Sequence, residues 1–143
     1  MANQVRGCFF PALFNIMPKG AGFIGCKSCK IKNMTECIFC KIAQHQVSSS
    51  IVAEDEVMIV FKDIHPKAET HWLIVPKKHI HSVSAVESDD WPLVASLIKK
   101  AAETARGQGI NGYKLVFNVG REGGQMVDHL HLHLLAGGKI ELP

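Results

Sequence analysis

His129, His131 and His133 alternate with Leu130, Leu132 and Leu134 near the C-terminal end of the sequence. Side chains of a β-strand point alternately to opposite faces, so positions i, i+2 and i+4 form one row. The spacing therefore predicts a strand with three imidazoles on one face and three leucines against a core. On a helix, i and i+4 would meet while i+2 pointed away. Histidine fills few buried positions, so packing alone explains three of them poorly. Two kinds of chemistry suit the row. Neutral rings could bind a metal, as in a zinc hydrolase with His129 and His131 as ligands and a water in an open position. Alternatively one ring attacks phosphorus while its neighbours set its tautomer and hold protons.

Cys37 and Cys40 form a C-x-x-C pair, a half-site for tetrahedral zinc that needs two more nitrogen or sulfur ligands. Cys26 and Cys29 form a second pair and leave open a four-cysteine site. With Cys8 the count is five, and an odd number arranged this way points to metal binding or reduced thiols rather than a secreted disulfide framework. His45 and His65 read as ordinary surface or core histidines.

The elements that must position these groups follow from the hydrophobic pattern. A short helical turn is predicted over Cys37 to Gln46, with Ile38, Phe39 and Ile42 sharing a face. Ile51–Ala53 and Val57–Phe61, separated by Glu54-Asp55-Glu56, read as a hairpin. His71–Val75 gives a third strand ended by Pro76. Leu93, Leu97, Ala101 and Ala105 recur every four residues, which predicts a long helix from about Asp90 to Arg106. Ser88-Asp89-Asp90 supplies its N-cap candidates, Pro92 lies in its first turn, and Gly107 and Gly109 stop it. Tyr113–Val119 is a fourth strand, and Gly120–Gly124 turns the chain into the fifth, the histidine strand. The expected architecture is α+β, an antiparallel five-stranded sheet with one long and one short helix.

At 143 residues and 47% hydrophobic, the chain suits one buried core. A net charge of +3, spread over single lysines, argues against a nucleic-acid surface and suits small anionic ligands. No apolar run reaches the roughly 20 residues of a membrane helix. The stretch from Cys8 to Met17 is interrupted by Pro11 and lacks an A-x-A-like cleavage site, so the expected location is cytoplasmic. Residues 1–33 hold four of the twelve glycines and show no sustained period, whereas a regular pattern begins at Met34. We expect an irregular extension over 1–33, with Met34 as the candidate natural start, and one domain over 34–143.

His129 to Leu135 resembles the H-φ-H-φ-H-φ-φ signature of the histidine triad (HIT) superfamily. Cys37–Ile42, Phe61–Ile64, Thr70–Ile80 and Gly123-Gly124-Gln125 fall in the family's order and spacing, so the resemblance runs from about Thr35 to Lys139. Ala136-Gly137-Gly138 is similar to the branch of histidine triad nucleotide-binding proteins. The resemblance implies a HIT-like fold and a purine nucleoside phosphoramidate hydrolase, in which His131 attacks the α-phosphorus and a nucleotidyl-histidine forms. It implies that His133 and His71 support His131. It gives Asp63, with Phe61 and Ile64, to the nucleoside, and Asn118 and the backbone at Gly124 and Gln125 to the phosphate. It also implies one structural zinc per chain on Cys37, Cys40, His79 and His129, no organic cofactor, and a homodimer. Met126 departs from the branch, which often has a hydroxyl residue there, and a thioether cannot donate a hydrogen bond to a leaving group. A non-catalytic nucleotide-binding protein of the same fold is the alternative.

Overall fold

A computed structural model describes residues 36–138 and residue 140. The extension 1–33, the boundary at 34, and Cys8, Cys26 and Cys29 with the four-cysteine alternative lie outside the described residues. Within them the chain forms α1 (Ile38–Ala43), β1 (Ile51–Glu54), β2 (Met58–Lys62), β3 (Thr70–Pro76), α2 (Trp91–Gly107), β4 (Lys114–Val116) and β5 (Leu132–Ala136). The strands make one sheet in the order β1-β2-β3-β5-β4, with every neighbouring pair antiparallel. The expected α+β architecture, five strands with one long and one short helix, is the one observed.

Placing β5 between β3 and β4 brings the C-terminal strand into the middle of the sheet, where both faces are covered. Alternation then divides its side chains. Leu132, Leu134 and Ala136 join Met58, Val60, Trp72 and Ile74 under α2, and Leu130 continues that row ahead of the strand. Val94, Leu97, Ala101 and Ala105 are the buried stripe of α2. The fully buried alanines at 101 and 105 let the helix lie close to the sheet. On the opposite face Ile59, Phe61, Leu73 and Val75 pack against Phe39, Ile42 and Ala43 of α1. The fold thus puts α2 behind the leucine face and leaves the histidine face to α1 and a cavity.

Several local expectations are corrected. Of the three histidines only His133 lies within β5, because the chain ahead of it leaves β3 and the Leu130 N–H donates to the Ile80 carbonyl at 2.6 Å. The two-residue alternation nonetheless persists through His129 and His131. The fourth strand is Lys114–Val116 rather than Tyr113–Val119, since pairing with β5 ends where β5 begins, at Val116 opposite His133. Asp90 stands at the N-cap of α2 but makes no capping hydrogen bond; its carboxylate takes the Lys78 ammonium at 2.5 and 2.8 Å instead. α1 is shorter than expected, and Ile38, placed on its apolar face, is 41% exposed. Gly109, at φ +72°, is the left-handed residue that ends the long helix.

Candidate functional site

A cavity of about 1000 Å³ opens on the histidine face. Ile38, Phe39, Ile42, Val47, Phe61 and Leu73 give it an apolar wall, while Asp63, His71, Asn118, Gly124, His131 and His133 supply polar groups. Ile64 and Met126, 86% and 75% exposed, also line it. Ten of the residues expected at a nucleotide site were His131, His133, His71, Asp63, Ile64, Phe61, Asn118, Gly124, Gln125 and the variant Met126; all except Gln125 line this cavity.

The backbone fixes which nitrogen of each histidine carries a proton. Nδ1 of His131 lies 2.6 Å from the carbonyl oxygen of His129. A carbonyl only accepts, so Nδ1–H donates to it, and Nε2 of the neutral ring keeps its lone pair. On β3, the Lys67 N–H donates to Nδ1 of His71 at 3.2 Å. The proton of neutral His71 is therefore on Nε2, which lies 2.9 Å from Nδ1 of His133 and donates to it. His133 in turn carries its proton on Nε2. Nδ2 of the Asn118 carboxamide lies 3.4 Å from that nitrogen. His71 and His133 are diagonal neighbours on adjacent strands, since Leu73 pairs with His133 and His71 with Leu135.

Burial keeps these rings neutral near pH 7. His71, His131 and His133 are 4%, 6% and 6% exposed. Desolvation lowers the pKa of His131, and it lowers that of His71 against the opposing pull of the Asp63 carboxylate. Burial, reinforced by the neighbouring His131 and His71, brings His133 down to about 3. Asp63 accepts the His65 N–H on Oδ1 at 2.8 Å, and its Oδ2 is 3.5 Å from Nε2 of His71.

A second cluster lies beside the cavity. Ligand atoms of Cys37, Cys40, His79 and His129 all lie within 4.8 Å of one another. Nδ1 of His129 is 3.4 Å from Sγ of Cys37, 3.5 Å from Sγ of Cys40 and 3.2 Å from Nδ1 of His79. Nε2 of His129 lies 2.8 Å from the Pro76 carbonyl, so it is the protonated nitrogen and Nδ1 is bare. Burial, opposed by that carbonyl, lowers the His129 pKa to about 4. Burial and the adjacent Cys37 raise the Cys40 thiol to about 11, so a thiolate there needs a cation beside it. Two sulfurs and two imidazole nitrogens at this spacing are a donor set that fits tetrahedral zinc.

Asp63, His71 and His133 also converge within 4.8 Å. The Lys67 amide makes them a poor metal site, because it reserves the His71 Nδ1 lone pair and keeps the proton on Nε2, the atom that faces the other two. His129 and His131 fall in different groups altogether. His129 presents its ring to the cysteines and only its carbonyl to His131, which is incompatible with a shared catalytic zinc on those two rings.

The Gly-Gly-Gln segment has a use the sequence did not disclose. The Gly124 N–H donates to the Arg121 carbonyl at 3.0 Å and the Gln125 N–H to the Gly120 carbonyl at 2.9 Å, within the turn itself. Gln125, 2% exposed, accepts the Gly120 N–H on its side-chain oxygen and donates to the carbonyls of His81 and Val127. It therefore braces the loop from behind the wall that Gly124 lines. Gly123 is tightly enclosed too, since a Cβ there would overlap the Val119 carbonyl oxygen. Sequence reasoning assigned no role to Phe39, Ile42, Val47 or the Lys67 amide. Phe39 and Ile42 could have been found from the face they share on α1, whereas Val47 lies beyond that helix and nothing in the sequence marks a single backbone amide.

Residues 36–139 match the model of a family described as the scavenger mRNA decapping enzyme C-term binding domain. The chain is 41% identical over 103 residues to Protein HitA of Neisseria gonorrhoeae, covering 71% of this chain and 96% of that one. It is 49% identical over 104 residues to a HIT-like protein of Chlamydia trachomatis, covering 72% and 94%. The fold is similar to a HIT family hydrolase from Legionella pneumophila, with a TM-score of 0.71, 47% identity and coverage of 75% and 97%. A histidine triad protein from Clostridium difficile gives a TM-score of 0.74, 36% identity and coverage of 78% and 99%. The alternating histidines, the sheet that carries them and these relatives agree: the chain belongs to the histidine triad (HIT) superfamily.

Proposed function

We propose that the protein is a hydrolase that releases a purine nucleoside monophosphate from an amine, or from another phosphate, through a covalent intermediate on His131. The observation that carries this reading is the hydrogen bond from Nδ1 of His131 to the His129 carbonyl, which leaves a nucleophilic Nε2 on a residue of the cavity wall. Nε2 attacks the α-phosphorus and the phosphorus–nitrogen bond to the leaving amine breaks. The amine departs with a proton drawn from the His133 side of the pocket or from water. Water then attacks phosphorus and returns a proton to the group that protonated the amine, the bond to Nε2 breaks, and His131 regains its lone pair. His71 holds His133 in one tautomer throughout. Asp63 offers carboxylate oxygens to the ribose hydroxyls. The slot between Ile38, Phe39, Ile42 and Phe61 offers apolar surface to the base, with exposed Ile64 at its edge.

In this reading Cys37, Cys40, His79 and His129 hold one structural zinc, which ties the turn before α1 to the segments that follow β3 and precede β5. A homodimer is part of the proposal, and no organic cofactor is required. No helix among the described residues is long and apolar enough to cross a membrane. The reading is tested by mass spectrometry of protein quenched while hydrolysing adenosine or guanosine phosphoramidate. A nucleotide adduct on the peptide containing His131 is expected. Turnover without any adduct, or nucleotide binding without turnover, would overturn it.

A further inference from the structure

Phe39 stands where the cysteine–histidine cluster meets the cavity. It lies between Cys37 and Cys40 in the chain, is 7% exposed, and lines the cavity wall. Its ring meets that of His131 edge-on, with centroids 5.3 Å apart and planes at 80°. It also meets His129 at 6.0 Å and 67°, and Phe61 at 5.6 Å and 67°. Edge-to-face packing of this kind restrains ring orientation as well as burying area.

The His131 ring makes two other directional contacts. Nδ1–H donates to the His129 carbonyl, and the ring meets His133 edge-on at 4.9 Å and 72°. Two of its three supports therefore come from the cluster: the ring between the two cysteines, and the backbone of the histidine whose Nδ1 faces them. The Phe39 ring, carried on the Cys37–Cys40 turn, thus touches the His131 imidazole directly.

We propose that Phe39 is a positioning residue that transmits the geometry of the Cys37, Cys40, His79 and His129 centre to His131, so that the centre governs the nucleophile's orientation as well as closing the fold. The inference rests on the reading of His131 as nucleophile and of the cluster as a zinc site. An imidazole that swings about its last side-chain torsion loses the aligned lone pair that attack requires, and a displacement near 1 Å can cost about 100-fold in rate.

The test uses zinc-loaded protein and a Phe39→Leu variant, which keeps apolar volume but loses the ring edge. At saturating phosphoramidate, adduct formation in a single turnover is expected to slow by about 10- to 100-fold. Weaker base binding alone would raise KM and leave that saturating rate unchanged. In substrate-free protein, nitrogen-15 spectra of the imidazoles are expected to show His131 as one Nδ1–H tautomer in the wild type and as a mixture in Phe39→Leu, with Phe39→Tyr restoring the single form. Removing zinc from the wild type is expected to produce the same mixture, and to add little in Phe39→Leu. Where the chelated protein unfolds, exchange for cadmium, with its longer bonds to sulfur, takes the place of removal: His131 signals shift in the wild type and stay put in Phe39→Leu. An unchanged saturating rate and unchanged His131 signals in Phe39→Leu would overturn the inference, as would equal His131 responses to metal in both proteins. If the wild type forms no adduct, the nucleophile reading fails, and the spectra still decide the coupling.

Discussion

Nε2 of His71 and Nδ1 of His133 lie 2.9 Å apart although 62 residues separate them in the chain. The contact depends on β5 pairing with β3, and on the Lys67 amide that turns His71 into a donor. Both rings are buried and neutral, so their protonation is linked to folding. Their folded pKa values lie below the usual 6.5, with His133 at about 3, and the unfolded chain therefore binds protons first as the pH falls. The stability these rings contribute is fully present above about pH 6.5 and is lost as the pH drops below it, at most about 1.4 kcal/mol per pH unit for each ring. Urea midpoints measured from pH 8 to pH 4.5 are expected to fall on the acid side, and a His133→Gln variant to fall less steeply. Equal slopes in the two proteins would count against a buried neutral pair.

His131→Ala removes the atom assigned to attack phosphorus. Turnover is expected to drop by roughly 1000-fold or more, as with loss of other covalent nucleophiles. Nucleotide affinity, measured by calorimetry on the same protein, is expected to persist because the apolar slot and Asp63 are untouched. Residual activity near the wild-type rate would remove His131 from the reaction.

Purified protein is expected to carry one zinc per chain, with Cys40→Ser abolishing it. Cys40 is 2% exposed and contacts both His79 and His129, so its loss removes a buried ligand rather than a peripheral one. Metal that binds only the folded chain, at 100-fold over its dissociation constant, stabilises it by about 2.7 kcal/mol, and the variant is expected to lose at least that much. Elemental analysis paired with thermal melts checks both halves.

Met126 projects to solvent beside the cavity, held there by the Arg121 guanidinium on its carbonyl at 2.5 Å. A thioether offers no proton to a departing amine. Met126→Ser is expected to raise kcat on alkylamine phosphoramidates several-fold while changing arylamine substrates little, because only the poorer leaving group depends on protonation. Parallel kcat measurements on the two series decide it, and a uniform change would assign Met126 no part in leaving-group departure.

Much of this arrangement is legible in the sequence. The period-two alternation from His129 to Leu134 separated a chemical face from a core face, because a β pleat leaves no other choice. The four-residue recurrence through Leu97, Ala101 and Ala105 located α2. Boundaries were less secure where tertiary contacts intervene. The fourth strand is limited to three residues by where β5 starts, and Asp90 gives its carboxylate to Lys78 rather than to the helix.

The sequence by itself determined the residue types and their face: three imidazoles on one side, a cysteine pair able to hold metal, and a leucine row that demands a core. Only the tertiary structure divided the histidines. Their tautomers depend on the carbonyls of Pro76 and His129 and on the amide of Lys67, groups every residue possesses and no sequence pattern distinguishes. Folding alone could place those backbone dipoles, and they direct the His129 nitrogen to the cysteines while leaving Nε2 of His131 unprotonated on a residue of the cavity wall.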